Sequence, residues 1–418
     1  MTNSPSPLSC FDLGERMLSL DEARAALTTL VETPVETECV LLAHAHGRRL
    51  AQAIHAPINV PQHTNAAMDG VALAWASAEQ TRWALSGRVF AGEHLDHPVP
   101  AGRCVTITTG APLPAGTDTV IMREQLDEHD DHVIVHAPER VKRGQNVRQA
   151  GEDIRQGATA LPEGIRLDAA HLGLIASLGF AEVRVYRRPR VALFSTGNEV
   201  TAPGEPLPVA GIFDTNRFTL TGLLKEHGAD VVDLGILPDD AGAIREALAH
   251  AAQTSDLVLT SGGVSVGQAD FTRDALHALG QLAFWRVAIR PGRPLACGQL
   301  GKRRTPLVGL PGNPVAVMVT FLQFVVPLLQ RLEHQPVSPP RRLTAIADEP
   351  LYSRLNRCDF IRGVYHSDDS GKLYVRSTGA QGSGILTSMV AANCLIEVPD
   401  ERESVEPGEA VTLQPLLG

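Results

Sequence analysis

Apolar and polar positions follow two different rhythms along the 418 residues. From Arg190 onward, short apolar runs alternate with longer segments of helical periodicity. Strands are predicted at Val191–Phe194, Val231–Gly235 and Leu257–Thr260, with helices at Asn216–His227, Asp239–His250 and Asp270–Leu279 between and after them. Further strands at Phe284–Ile289, Leu295–Cys297 and Leu307–Val308 lead to a helix over Asn313–Leu329. Alternation at these lengths predicts a mostly parallel sheet covered by helices. Earlier, between Pro57 and Asn146, the rhythm is that of short β-prone runs separated by Gly, Pro and polar residues, as at Trp83–Val89, Cys104–Thr108, Thr119–Met122 and His132–His136.

The flanks of that β-rich segment read differently. Ser19 or Asp21 caps a helix running to about Val31, and Asp168–Leu178 is helical before an extended Glu182–Tyr186. Beyond Pro336, Arg342–Ala347, Asp359–Tyr365 and Lys372–Arg376 predict strands, completed by Met389–Leu395 and Ala410–Leu413. The expected fold is multidomain α/β plus β, with a central mostly parallel α/β module. Residues 1–56 and 150–188 are expected to form a discontinuous N-terminal domain, 57–149 an inserted β-rich domain, 189–335 the α/β domain and 336–418 a small C-terminal β domain.

Composition narrows the function. There are 37 basic against 47 acidic residues, a net charge of −10, so nucleic acid is not an expected partner. A local cationic pocket for a small anion stays compatible with that balance. Six dispersed cysteines without a CxxC pair predict reduced thiols and no zinc signature. No histidine-based metal centre is expected either. The N-terminal stretch lacks a basic region followed by an apolar core, and the apolar run Val315–Leu329 is short for a membrane span and contains Gln323. A cytoplasmic protein without a membrane partner is expected.

Three loops follow strand candidates in the α/β segment: STGNEV (195–200), TSGGVSVGQADF (260–271) and GLPGNPV (309–315). Gly262, Gly263 and Gly267, with Ser265 among them, let the backbone turn closely around a ligand, and the helix starts that follow favour an anion. No Walker A or GxGxxG pattern occurs, which argues against ordinary kinase or nicotinamide chemistry. Glu199, Asp214, Asp239 and Asp270 occupy the same rim, each with turn or capping duty as its plainer role. A carboxylate beside a phosphate is repelled by about 4 kcal/mol per unit-charge pair at ~4 Å and an effective dielectric of ~20. Mg²⁺ with a partly substrate-supplied oxygen shell resolves that conflict. Arg290 and Arg293 flank the proline–glycine turn of AIRPGRPLAC (288–297); singly each reads as a solvated surface charge, and together on a constrained turn they are expected to form an oxyanion clamp. Arg357 and Arg362 flank Asp359, where an internal salt bridge explains them equally well.

These motifs, in order, resemble bacterial molybdopterin molybdenumtransferases over almost the whole chain: NAAMDG, TTGAPLPAG, GEDI, FSTGNEV, DTN, TSGGVSVGQAD, RPGRPLA and GLPGNP. The resemblance implies an enzyme that takes adenylylated molybdopterin and molybdate, releases AMP and leaves molybdenum on the pterin dithiolene. It implies functional roles for Asp69, Thr109 and Asp153 in the N-terminal parts, and for Glu199, Asp239, Asp270, Pro311 and Pro314 in the α/β module, with Glu199 and Asp270 as Mg²⁺ ligands. For the molybdate pocket it implies Arg290, Arg293 and Pro294, joined by Arg357 or Arg362 and by Ser383. The implied assembly is a homodimer with intersubunit clefts, working beside a molybdopterin adenylyltransferase and molybdoenzyme maturation proteins. Two departures stand out: arginines at 290 and 293 where relatives commonly carry lysine, and Val71 where many carry tyrosine. Alternatives of another class are molybdopterin adenylylation or noncatalytic cofactor carriage. Tungstate in place of molybdate is also open.

Overall fold

The computed structural model describes residues 11, 16–76, 79–238, 240–262 and 279–416. The chain divides into two compact units, Met1–Glu38 with Tyr186–Gly418, and Cys39–Val185.

The first unit is built on a seven-stranded sheet. Its order is Met17–Leu18, Gly280–Val287, Pro294–Leu300, Thr305–Leu310, Leu257–Ser261, Arg190–Thr196 and Asp230–Leu237. Every described strand in it runs the same way except Pro294–Leu300, which pairs antiparallel with both neighbours. Chain length explains the exception: tight turns join this strand to the ones before and after it, whereas parallel neighbours need a crossover. The central strands are apolar on both faces because helices cover them, so Val191–Phe194 and Leu257–Leu259 are fully buried. Phe194 and Val258 meet Ile244, Leu248 and Ala251 of the helix Ala241–Thr254. Asp240 caps that helix, accepting from Ala243 N–H at 2.7 Å. Asn216–Glu226 is helical as expected, while the expected helix Asp270–Leu279 lies outside the described residues except at Leu279.

The expected helix Asn313–Leu329 extends from Pro314 to Leu332 with a π segment, Phe321–Val325, in its middle. These 19 residues are long and apolar enough to span a bilayer, but 72% of the apolar window is buried inside the protein. Gln323, in the π segment, is buried and donates to Gln414 Oε1 at 2.8 Å.

Residues 17–35 were expected with the discontinuous domain; they pack on this unit instead. Met17 and Leu18 pair with Arg286 and Val287. The helix Leu20–Thr28 buries Leu20, Ala23 and Leu27, while Arg24 donates to Gln323 and Val35 N–H to Leu332 O at 2.8 Å. The apolar face of this short helix finds its partner on the long one, a pairing local sequence cannot encode.

The C-terminal strands close on themselves. Cys358–Ser367 pairs with both Leu373–Ser377 and Cys394–Val398, and Leu343–Ala347 and Ala410–Pro415 complete the ring. Ala345, Ile361, Val375, Ile396 and Leu413 fill it. The expected strand Met389–Leu395 is instead a helix, Leu386–Ala391, followed by the strand Cys394–Val398. Asn393 separates them by pairing its side-chain amide with both backbone groups of Tyr365.

In the second unit a six-stranded sheet orders Leu126–Glu128, His132–Val135, Arg82–Val89, Arg103–Ile107, Gly70–Leu73 and Thr119–Met122. Alternate residues serve its two faces: Val71 and Leu73 pack with Trp83 and Val133, while Ala72 packs with Val89, Val105 and Val120. A separate core in this unit joins Leu50 and Ile54 to Leu167, Ile175, Val183 and Val185.

The N-terminal helix is closed by a capping box, with Glu22 N–H donating to Ser19 Oγ at 3.2 Å and Ser19 N–H to Glu22 Oε2 at 2.9 Å. Hydrogen bonds from Arg16, reinforced by the Ser19 N–H, pull the Glu22 carboxyl from its ordinary 4.5 to about 2. Because the folded value is depressed, this contribution is complete above 4.5 and is lost as pH falls toward 2. Hydrogen exchange at the Ser19 and Glu22 amides is expected to accelerate through that interval beyond its intrinsic pH dependence, and Glu22→Gln to remove the excess.

Candidate functional site

At the C-terminal edge of the parallel strands in the first unit, the chain leaves the sheet through loops that converge. Gly262 follows Leu257–Ser261 with φ of +90°, and a Cβ there would stand 3.2 Å from Thr196 O. Its N–H is taken by Leu310 O at 3.3 Å, so this amide is not free to meet a ligand. Gly263, Ser265, Gly267 and Asp270 lie outside the described residues, as does Asp239. Asn216 links three loops, its Nδ2 donating to Ser261 Oγ and to Gly312 O, both at 2.7 Å. Glu199 is exposed, and its carboxylate lies over Gly197, where an added Cβ would meet Oε2 at 2.6 Å. A side chain at 197 would therefore displace it. Among the described residues no group of three or more His, Cys, Asp or Glu could hold a metal alone.

The arginine turn forms the next wall. Gly292 has φ of +105° and lies so close to the long helix that a Cβ would stand 2.4 Å from Thr320 Cγ2. This close approach places Arg290 and Pro291 beside Pro311 and Asn313 in a cleft of 610 Å³, whose far side is Gln381, Gly382 and Ser383 of the C-terminal domain. Pro294 also lines it. Pro314 starts the long helix, and the next residue, Val315, donates its N–H to Ser383 O at 3.1 Å.

Arg290 and Gln381 are shared with an adjoining pocket of 260 Å³ that contains Asp359 and Arg362. Arg362 is only 2% exposed. Its Nε donates to Ser388 Oγ at 3.0 Å and its Nη2 to Gly382 O at 3.0 Å, while its backbone N–H donates to Gln381 Oε1 at 2.9 Å. None of these acceptors is a carboxylate. Burial, and then the neighbouring Arg290, push the guanidinium down to about 10, which still leaves it charged at neutral pH. Arg357 differs: its Nε lies 2.8 Å from Asp359 Oδ1 and its Nη2 donates to Oδ2 at 3.1 Å. It lines a neighbouring hollow of 370 Å³ with Arg290, Arg293 and Asn356. The structure thus brings Arg290, Pro294, Pro311, Ser383 and Gly262 to one cleft and Arg362 to its extension, and turns Arg293 and Arg357 to the adjacent side.

Asp214 takes its plainer role. It is 4% exposed and accepts from Ser195 Oγ at 3.1 Å, Arg217 N–H at 3.1 Å and Arg217 Nε at 2.9 Å. It shapes the loop before the helix Asn216–Glu226 and does not line the cleft. Within the second unit, Asp69 Oδ1 accepts both Thr109 N–H and Thr109 Oγ1 at 2.7 Å, which holds the Asp69 carboxyl below its usual range. Asp153 stands on another turn, its N–H donating to Val60 O at 3.1 Å. Sequence reasoning passed over Asn216, Asn313 and Gln381. The first two sit inside DTN and GLPGNP, so motif position could have marked them, whereas Gln381 carries no local signal.

Family models match nearly the whole chain. The MoeA N-terminal region (domain I and II) matches residues 18–179, a probable molybdopterin binding domain 192–331, and the MoeA C-terminal region (domain IV) 344–416. The chain is 42% identical to a molybdopterin molybdenumtransferase of Haemophilus influenzae over 407 residues, covering 96% of this chain and 100% of that one. It is 33% identical to one of Nostoc, over 92% and 90% of the two chains. A molybdopterin biosynthesis moeA protein from Pyrococcus horikoshii superposes with a TM-score of 0.81 at 28% identity, covering 96% of this chain and all of that one. With its loops, arginine turn and closing C-terminal barrel arranged as described, the chain belongs to the MoeA family of molybdopterin molybdenumtransferases.

Proposed function

We propose that this protein inserts molybdenum from molybdate into adenylylated molybdopterin and releases AMP. The observation that carries the reading is Arg362, a buried guanidinium held only by neutral acceptors among the described residues, opening with Arg290 onto a pocket that continues the strand-end cleft. A buried cation without a counterion is costly, and an anionic ligand supplies what is missing. The cleft beside Gly262 suits the phosphate part of the pterin nucleotide, and the Arg290–Arg362 pocket suits the tetrahedral oxyanion. Substrate-borne dithiolene sulfurs receive the metal, so no cysteine of the chain is required.

Mg²⁺ fits the carboxylate of Glu199, which rests over Gly197, with Asp270 as its expected second protein ligand. When bound there it lowers the charge repulsion between phosphate oxygens and the acidic rim. The chain's own part is positional: Asn216 holds the Ser261 and Gly312 loops together, the Gly292 turn presents Arg290, and Ser388 with Gly382 O fixes Arg362. Such preorganised donors act without reorganising at the moment of reaction.

We further infer a homodimer and a cytoplasmic location. Leu207, Val209, Ile212, Phe213 and Phe218 are each exposed, close along the chain on and after the loop that follows Thr201, and a second copy would cover them. Val209→Asp with Phe213→Asp is expected to weaken self-association at least about tenfold, which sedimentation velocity over a concentration series reads directly.

Reconstitution with adenylylated molybdopterin, Mg²⁺ and molybdate tests the activity: AMP release coupled to cofactor formation is expected. Absence of both, or robust ATP-dependent adenylylation of molybdopterin instead, overturns the assignment. In the same assay Glu199→Gln is expected to lower turnover by about a hundredfold. Arg362→Ala is expected to raise the molybdate KM at least about tenfold, with a smaller effect on binding of the adenylylated pterin.

A further inference from the structure

The oxyanion pocket contains a carboxylate, which a site for anions would ordinarily avoid. Asp359 is 2% exposed and lines the 260 Å³ pocket with Arg290 and Arg362. On one side it pairs with Arg357; on the other, Arg290 Nη1 stands 3.5 Å from its Oδ2, an ion pair longer than a directed hydrogen bond. Backbone pairing sets the two residues opposite each other, since Ile289–Arg290 runs parallel to Cys358–Asp359. Neutralising Arg357 accounts for a carboxylate near that arginine. It does not account for one that also faces the pocket and reaches the guanidinium that meets the ligand.

Charge counting does account for it. Arg290, Arg357 and Arg362 against Asp359 leave the cluster with two positive charges, matching a tetrahedral dianion. We propose that Asp359 is a charge-setting residue that holds the pocket at the charge of a dianion, so that the oxyanion is bound yet can leave for the dithiolene. Without it, the charge of Arg357 beside the pocket would go unopposed, and Arg290 and Arg362 would hold the dianion too tightly to pass it on. The proposal rests on the oxyanion reading given above. Its specific content is that the carboxylate weakens anion binding, the reverse of what a residue that only orients arginines would do.

Calorimetric titration of the full-length protein with molybdate and with perrhenate tests this, because the two anions share shape and approximate size and differ by one charge. Asp359→Asn is expected to tighten molybdate binding about tenfold and perrhenate by a smaller factor, while turnover in the reconstituted reaction falls about tenfold. Asp359→Glu is expected to keep the wild-type ratio of the two affinities. Weaker binding of both anions to Asp359→Asn, or an equal change in both, overturns the proposal and leaves the carboxylate an orienting role. If Asp359→Asn does not fold, Arg357→Gln serves in its place: it lowers the net charge by one and should weaken molybdate more than perrhenate, and equal weakening again overturns the idea. Failure of the wild-type protein to bind either anion would instead remove the oxyanion reading, and this proposal with it.

Discussion

Two residues of backbone join the halves of the cleft. Ile289 and Arg290 leave the α/β sheet and pair with Cys358 and Asp359 of the C-terminal barrel, and Cys358 N–H donates to Ala288 O at 2.8 Å. That short parallel pairing determines where Arg290 can point, and through the strand Cys358–Ser367 it also determines where Arg362 lies. A rigid-body shift between the two domains would separate the guanidinium groups and break the pocket. Two further contacts hold the same alignment: Val315 N–H to Ser383 O at the mouth, and the buried Gln323–Gln414 pair farther down the long helix. Gln414 passes the contact to Glu397, which Arg342 grips through both carboxylate oxygens. Buried polar chains of this kind specify a register because any slip leaves a donor unsatisfied.

The electrostatic design follows from that mechanical one. A chain of net charge −10 would repel a dianion at long range, so capture depends on charges concentrated where water is excluded. Arg362 is held in such a place by a hydroxyl and carbonyl oxygens, which satisfy its donors without cancelling its charge. Arg357 is neutralised in place by Asp359. Arg357, just before the strand Cys358–Ser367, and Arg362, on it, thus have opposite electrostatic outcomes, decided by which acceptors fold around each.

Much of this was legible in the chain. Periodicity located the buried strands Arg190–Thr196 and Leu257–Ser261 and the closing helix, because burial on both faces demands uninterrupted apolar runs. The glycines that turn the loops were legible for a related reason: Gly262 and Gly292 stand where a Cβ would crowd Thr196 or Thr320. Local pattern failed where the partner is distant. The strand expected at Met389–Leu395 begins only at Cys394, after a helix whose Ser388 accepts from the distant Arg362, and residues 17–35 joined the α/β unit because their apolar face fits the long helix.

The sequence by itself determined most element types, the strand-end loops, the family and the identity of the charged groups, since these depend on periodicity, backbone freedom and motif order. Only the tertiary structure decided what each charge does. Asp214 became a loop acid under Arg217, Arg357 a partner of Asp359, and Arg293 a residue of the neighbouring hollow, while Arg290 and Arg362 were left facing one pocket. The reason is physical: whether a guanidinium or carboxylate is neutralised depends on groups within a few ångströms in space. Arg362 and Gly382, or Arg290 and Asp359, are far apart along the chain until the barrel closes and the two strands pair.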